Sequence, residues 1–149
     1  MTREYIIMTR EIYKEWLKEA KNDFRAGKTL YKAKIFNTAV FHFQQSVEKV
    51  LKAALYFYNE QPWGHSILKL IQHLQKIGKD EYSSILSEGR EFDLHYTSTR
   101  YPDTLPDISP SELYDRKISQ KLMKNAEKIL DFVQEEMEKS KLGGQGEEN

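Results

Sequence analysis

The chain has 149 residues, 31% of them charged and 39% hydrophobic, which suits one domain built around one core. Lys+Arg and Asp+Glu both number 23, so the formal net charge is zero. Bulk attraction to nucleic acid or to an anionic membrane is therefore not expected, and any such binding needs a local patch. Cysteine is absent, which removes disulfides, thiol catalysis and thiolate metal sites and fits a reducing cytoplasm. No apolar run approaches the ~20 residues of a membrane span. The first twelve residues carry acids and too short an apolar run for a signal peptide. They repeat a short phrase, Thr2-Arg-Glu-Tyr after Met1 and Thr9-Arg-Glu-Ile after Met8, which is read as chance or as a second usable start at Met8.

The pattern is helical almost throughout. The first helix is predicted from about Arg10 to Ala26, with Tyr13, Trp16, Leu17, Ala20 and Phe24 on one apolar face. Thr9 is the expected cap and Gly27 the expected C-terminal stop. A second helix runs from about Phe36 to Tyr58 on a stripe that includes Val40, Phe43, Val47, Leu51 and Leu55. The Asn59–Gly64 segment breaks it. A third helix covers roughly Ser66 to Ile77, and Gly78-Lys79-Asp80 forms a turn. A weaker helical segment follows from about Glu81 to Leu94. Residues 97–110 hold three of the four prolines and are expected to form an ordered loop. The last helix is predicted from Ser109 to about Lys139. Ser109 and Glu112 suggest a capping box, Pro110 sits at the first helical position, and Ile108 with Leu113 fits a hydrophobic staple. The predicted architecture is all-α, an up-and-down four-helix bundle with a short additional helix. It places a flexible N-terminus at 1–8, one domain at 9–139 and a disordered tail at 140–149. The length of the last helix suggests a dimer interface.

Two segments carry unusual polarity. On the second helix, Gln44, Glu48 and Lys52 are spaced i, i+4, i+8 and share a face, with Gln45 and Lys49 in an adjoining row. Much later comes Thr99-Arg100-Tyr101-Pro102-Asp103, where Pro102 holds Tyr101 extended. Phe43-Gln-Gln-x-x-Glu-Lys-x-x-Lys52, followed by the Arg-Tyr-Pro loop ahead of the last helix, resembles the signature of the HEPN domain family. An amphipathic first helix, a turn and Ile35-Phe-Asn-Thr-Ala39 complete the likeness, which spans roughly residues 10–138. The resemblance implies a helical bundle, often dimeric, linked to nucleotides or RNA. It also implies a small nucleotidyltransferase-like partner for many members and metal-independent ribonuclease toxins among others.

Under a binding function, Gln45, Glu48, Lys49, Lys52, Arg100 and Tyr101 form the candidate ligand site. The lysines and Arg100 would meet phosphate while Tyr101 stacks on a base. The plain alternative is a Glu48–Lys52 pair on the surface and an Arg100 that locks its own loop. Under a nuclease function, Arg90 and His95 are the catalytic candidates, since the family's nucleases use an Arg and a His four to six residues apart. Two features oppose this: residues five apart on a helix point about 140° apart, and Glu91, with Asp93, brings negative charge to a phosphate site. Of the other histidines, His42 reads as a core or interface residue, His65 as a cap or a neighbour of Trp63, and His73 as surface. No pair has metal spacing with an acidic partner, so neither a metal nor a cofactor is predicted. Gly27-Lys28-Thr29 imitates the end of a phosphate-binding loop but lacks the earlier glycine and the strand. The sequence therefore supports two functions. One is a cytoplasmic, homodimeric binding module for a nucleotide, RNA or a nucleotidyltransferase partner. The other is an RNA-cleaving toxin.

Overall fold

The computed structural model describes the backbone of residues 3–103 and 107–147, and the side chains of 11–103 and 107–143. Its elements are α1 (Arg3–Lys32), α2 (Phe36–Phe57), α3 (Ile67–Lys76), a 3-10 helix (Asp80–Ile85), α4 (Leu86–Leu94), α5 (Pro110–Leu113) and α6 (Arg116–Glu147). No β-strand occurs among the described residues. The architecture is the expected all-α, up-and-down bundle. The three long helices α1, α2 and α6 occupy three of its corners, and α3, the 3-10 helix and α4 fill the fourth.

Helix α2 is the central element. It packs on α1, α3 and α6, and Val40, Phe43, Val47, Val50, Leu51, Ala54 and Leu55 are all fully buried. This is the stripe read from the sequence, and burial of such side chains supplies most of a helix's stability in a bundle. On α1, Tyr13 and Ala20 are buried while Trp16, Leu17 and Phe24 pack against the core. Ser66 caps α3, its hydroxyl accepting from the Lys69 amide at 3.2 Å.

Four boundaries differ from expectation. Helix α1 begins at Arg3, not about Arg10, and passes through Gly27 to Lys32. Gly27 is not a terminator. A Cβ there would lie 2.5 Å from the Phe43 ring, so the missing side chain lets α1 and α2 approach closely. The stop is Lys34, left-handed at φ 66°, where the Ile35 amide donates back to the Leu30 carbonyl at 2.9 Å. At the other end, α6 extends to Glu147 rather than about Lys139. Its start also moves. The proline-headed turn α5 stops after four residues, Tyr114 is extended at φ −98° and ψ 125°, and Ser109 makes no capping bond to the backbone. The true cap of α6 is Asp115, whose Oδ1 accepts from the Ile118 amide at 2.9 Å. Ile108, half of the predicted staple, is 43% exposed. Within the proline loop, residues 104–106 lie outside the described residues, as do Met1, Thr2, Glu148 and Asn149.

Candidate functional site

The polar edge of α2 points into the bundle. Gln44 and Glu48 are both buried, and a buried carboxylate is tolerated only when partnered. Glu48 has two partners: its Oε1 lies 3.2 Å from His65 Nδ1 and its Oε2 accepts from Lys52 Nζ at 3.4 Å. The Lys52 ammonium also stands over the Trp16 ring, 5.6 Å from its centroid. Lys49 donates to Asp23 Oδ2 at 2.6 Å, and the other oxygen of Asp23 meets His42 Nδ1 at 3.0 Å. Gln45 is half-buried beside these pairs and takes no part in them. Both predicted phosphate-binding lysines thus already hold carboxylates of the bundle, and His65 ties to Glu48 instead of capping α3.

Arg100 closes this region from above. Its guanidinium lies between the Phe41 and Tyr96 rings, 4.6 and 4.0 Å from their centroids. Nη1 donates to Gln44 Oε1 and to the Tyr96 carbonyl, each at 2.8 Å. The His65 ring stacks on the second ring of that pair, Tyr96, at 6.2 Å. The loop after α4 is therefore clamped to α2 through one arginine. Gln44 Nε2 is buried beside this bond without a hydrogen-bond partner. Tyr101, next in sequence, is 50% exposed.

Arg90 and His95 sit on and just past α4. Arg90 is exposed in the helix, and it makes no ion pair among the described residues. His95 is the C-cap of α4, at φ −101° and ψ 3°. His95 Nδ1 lies 2.8 Å from the Tyr114 hydroxyl, which lies 2.8 Å from Ser98 Oγ. Burial pulls the His95 imidazole below its ordinary pKa, opposed by Glu91 and assisted by Lys121. Burial likewise raises the Tyr114 hydroxyl, so it keeps its proton at neutral pH. That single proton can go to Ser98 or to His95, and the choice fixes which imidazole nitrogen is left as an acceptor.

The acids near Arg90 are already neutralised. Glu91 accepts from Lys121 at 2.9 Å and from Asn125 at 3.1 Å. Asp93 accepts from Ser66 Oγ at 2.8 Å and from the Ile67 and Leu68 amides at 2.7 and 3.1 Å. Its charge is taken up by the N-terminus of α3. Lys117, Lys121 and Lys124 line a shallow groove of about 620 Å³ on the first half of α6. Tyr114 and Ser98 escape a sequence reading because 110–139 looks like one helix. The signal that could have exposed them is Asp115, a cap residue set three positions before Ile118. Among the described residues no group of three His, Asp or Glu side chains gathers as a metal site, and no helix is long and apolar enough to cross a membrane.

With a buried Gln-Gln-Glu-Lys helix held by an Arg-Tyr-Pro loop in an all-α bundle, comparison with known proteins is decisive. A family model described as the HEPN domain matches residues 13–137. The chain belongs to the HEPN family. This HEPN protein is similar to the Methanocaldococcus jannaschii protein named "Putative toxin MJ1304", 24% identical over 130 residues that cover 82% of this chain and 86% of the relative. Among solved structures it is similar to TT1696 from Thermus thermophilus, with TM-score 0.76 and 30% identity over 83% of this chain and 96% of the other. It is also similar to ST0689, described as an archaeal HEPN homologue, with TM-score 0.70 and 27% identity over 84% and 97% of the two chains. A HEPN domain protein from Thermotoga maritima gives 0.66 and 27% over 83% and 98%.

Proposed function

We propose that this HEPN protein cleaves RNA without a metal, with His95 as the proton-transfer group and Arg90 as the phosphate-binding group. The observation that carries this is the His95–Tyr114–Ser98 chain beside a Glu91 already paired with Lys121 and Asn125. Burial favours the neutral imidazole, the form that can take a proton from a ribose 2′-hydroxyl. The freed 2′-oxygen attacks the adjacent phosphorus, and the 5′-oxygen leaves and takes up a proton. This gives a 2′,3′-cyclic phosphate and a 5′-hydroxyl. Arg90 offsets the charge that builds on the phosphate oxygens. The leaving 5′-oxygen takes its proton from solvent water, and Leu94, 74% exposed immediately before His95, supports a second copy covering this face. We place the activity in the cytoplasm, in a toxin role with a small nucleotidyltransferase-like partner. Labelled RNA incubated in EDTA with wild type, His95→Ala and Arg90→Ala tests it. Cleavage by wild type, with cyclic-phosphate ends and a loss of roughly a hundredfold or more in each variant, is expected. Cleavage that survives His95→Ala refutes the assignment.

A second reading has its own observation. The orphaned Gln44 Nε2 beside the Arg100 clamp, with Tyr101 half exposed, supports a non-catalytic module that binds a nucleotide or RNA end through Arg100, Tyr101 and the α2 edge. Saturable nucleotide binding, lost in Arg100→Ala and unaccompanied by RNA cleavage, would favour it.

A further inference from the structure

Helix α1 segregates its charges. Lys14, Lys18, Lys21, Arg25, Lys28 and Lys32 follow one another at intervals of three or four residues. That spacing keeps all six within roughly 80° of arc along ~27 Å of helix. All six are exposed. The acids of the same helix keep to a different row. Glu11, Glu15, Glu19 and Asp23 are four apart and wind toward α2, where Asp23 meets Lys49 and His42. No acid stands four residues before a lysine along this stretch. Glu11 and Glu15 stand three before Lys14 and Lys18, only the first of them paired, and Glu19 borders the row beside Lys18, Lys21 and Arg25. Like charges at those spacings weaken an isolated helix. Little relieves the row within the molecule. Lys14 pairs with Glu11 at 3.2 Å, Arg25 reaches Asn22 Oδ1 at 3.4 Å, and Lys28 lies over the Phe24 ring. Lys18, Lys21 and Lys32 have no acidic partner among the described residues.

The row also borders a groove. Between α1 and α6 lies a concavity of about 510 Å³ whose α1 bank is Lys14, Lys18 and Lys21 and whose α6 bank includes Gln134 and Lys141. Its one acid, Glu138, is held by Lys141 at 3.2 Å. The floor aromatic, Tyr13, is buried, so no ring is offered for a base to stack on.

We propose that this α1 ridge is a docking surface for the phosphate backbone of RNA, separate from Arg90 and His95. It rests on the reading above only in naming RNA as the nucleic acid. A straight run of flexible cations without an exposed aromatic ring among them suits phosphates, which position a nucleic acid without reading its bases. A protein interface would need an apolar core with aromatic anchors. A membrane-surface helix would need its apolar face free, and that of α1 is spent on α2 and α6. The ridge is the kind of local patch that a chain of zero net charge needs in order to bind RNA.

The test is the full chain against a fluorescein-labelled 2′-O-methyl RNA hairpin of about 20 nucleotides, titrated from ~50 to ~200 mM salt. Without a free 2′-hydroxyl the probe is not cut, so the readout is independent of His95. Wild type should bind with a log–log salt slope of several units, and Lys18→Gln/Lys21→Gln/Arg25→Gln should bind about tenfold or more weakly with a slope shallower by roughly two to three. These side chains are exposed, and unchanged circular dichroism verifies that the variant is folded. Affinity and slope equal to wild type overturn the ridge. So does ridge-dependent binding to phosphatidylserine vesicles without RNA binding, which would make it a membrane contact. Ridge-dependent binding alongside no cleavage of ordinary RNA supports the ridge and refutes the nuclease alone. Unaltered binding in the triple variant alongside cleavage refutes the ridge alone.

Discussion

His95 carries two burdens at one position. It ends α4, and it is half sunk against Tyr114, where its neutral form is favoured over the charged one. The pH consequence has a definite sign. A histidine whose folded pKa is depressed binds fewer protons folded than unfolded. Its stabilising contribution is therefore complete above the ordinary histidine pKa of about 6.5 and is lost as pH falls below that value. Urea unfolding of wild type and His95→Gln at pH 7, 6 and 5 (about these values) should show wild type losing more stability toward pH 5 than the variant. Parallel pH dependence in both would refute a neutral, buried His95. The sequence supplied Arg90, His95 and their spacing, but not Tyr114, because a hydroxyl 19 positions away comes near His95 only through the break between α5 and α6.

Among the elements, α3 shows how a residue that looked hostile to function serves structure. Helix α3 is ten residues long, too short to be stable alone, and its exposed amides need acceptors. Ser66 supplies one and Asp93, from α4, supplies the rest. Asp93→Ala should therefore cost about 1–2 kcal/mol of unfolding free energy, with Asp93→Asn intermediate. Equal thermal stability for wild type and Asp93→Ala would show that this cap carries no weight. The element boundaries were legible where a local signal decided them, as at Ser66 and the Asn59–Gly64 break. They were not legible at Gly27, where the glycine serves a close approach to Phe43, nor at Lys34, which takes the left-handed position a glycine usually holds.

At the scale of the whole molecule, the Arg100 clamp joins the fold to the candidate site. One guanidinium links the loop after α4 to the middle of α2, through a buried amide and between two rings. Arg100→Ala removes this link and leaves Gln44 fully unpaired, so a loss of about 1–3 kcal/mol is expected, with faster limited proteolysis between residues 97 and 113. A variant as stable and as protease-resistant as wild type would mean that the loop is held by other contacts.

Apolar periodicity alone determined that this protein is an all-α bundle and which faces of α1, α2, α3 and α6 meet, because a 3.6-residue repeat admits one way of burying each stripe. The Gln-Gln-Glu-Lys helix and the Arg-Tyr-Pro loop determined the family for the same reason, being local and ordered along the chain. Only the tertiary structure decided what the polar residues do. Lys49 and Arg100 resemble free ligand-binding cations until Asp23 and Gln44 are brought to them. Glu91 and Asp93 resemble a barrier to RNA until Lys121 and the N-terminus of α3 absorb their charge. Charge is long-ranged and is settled by partners distant in sequence, whereas the pattern that builds a helix is settled within a few turns.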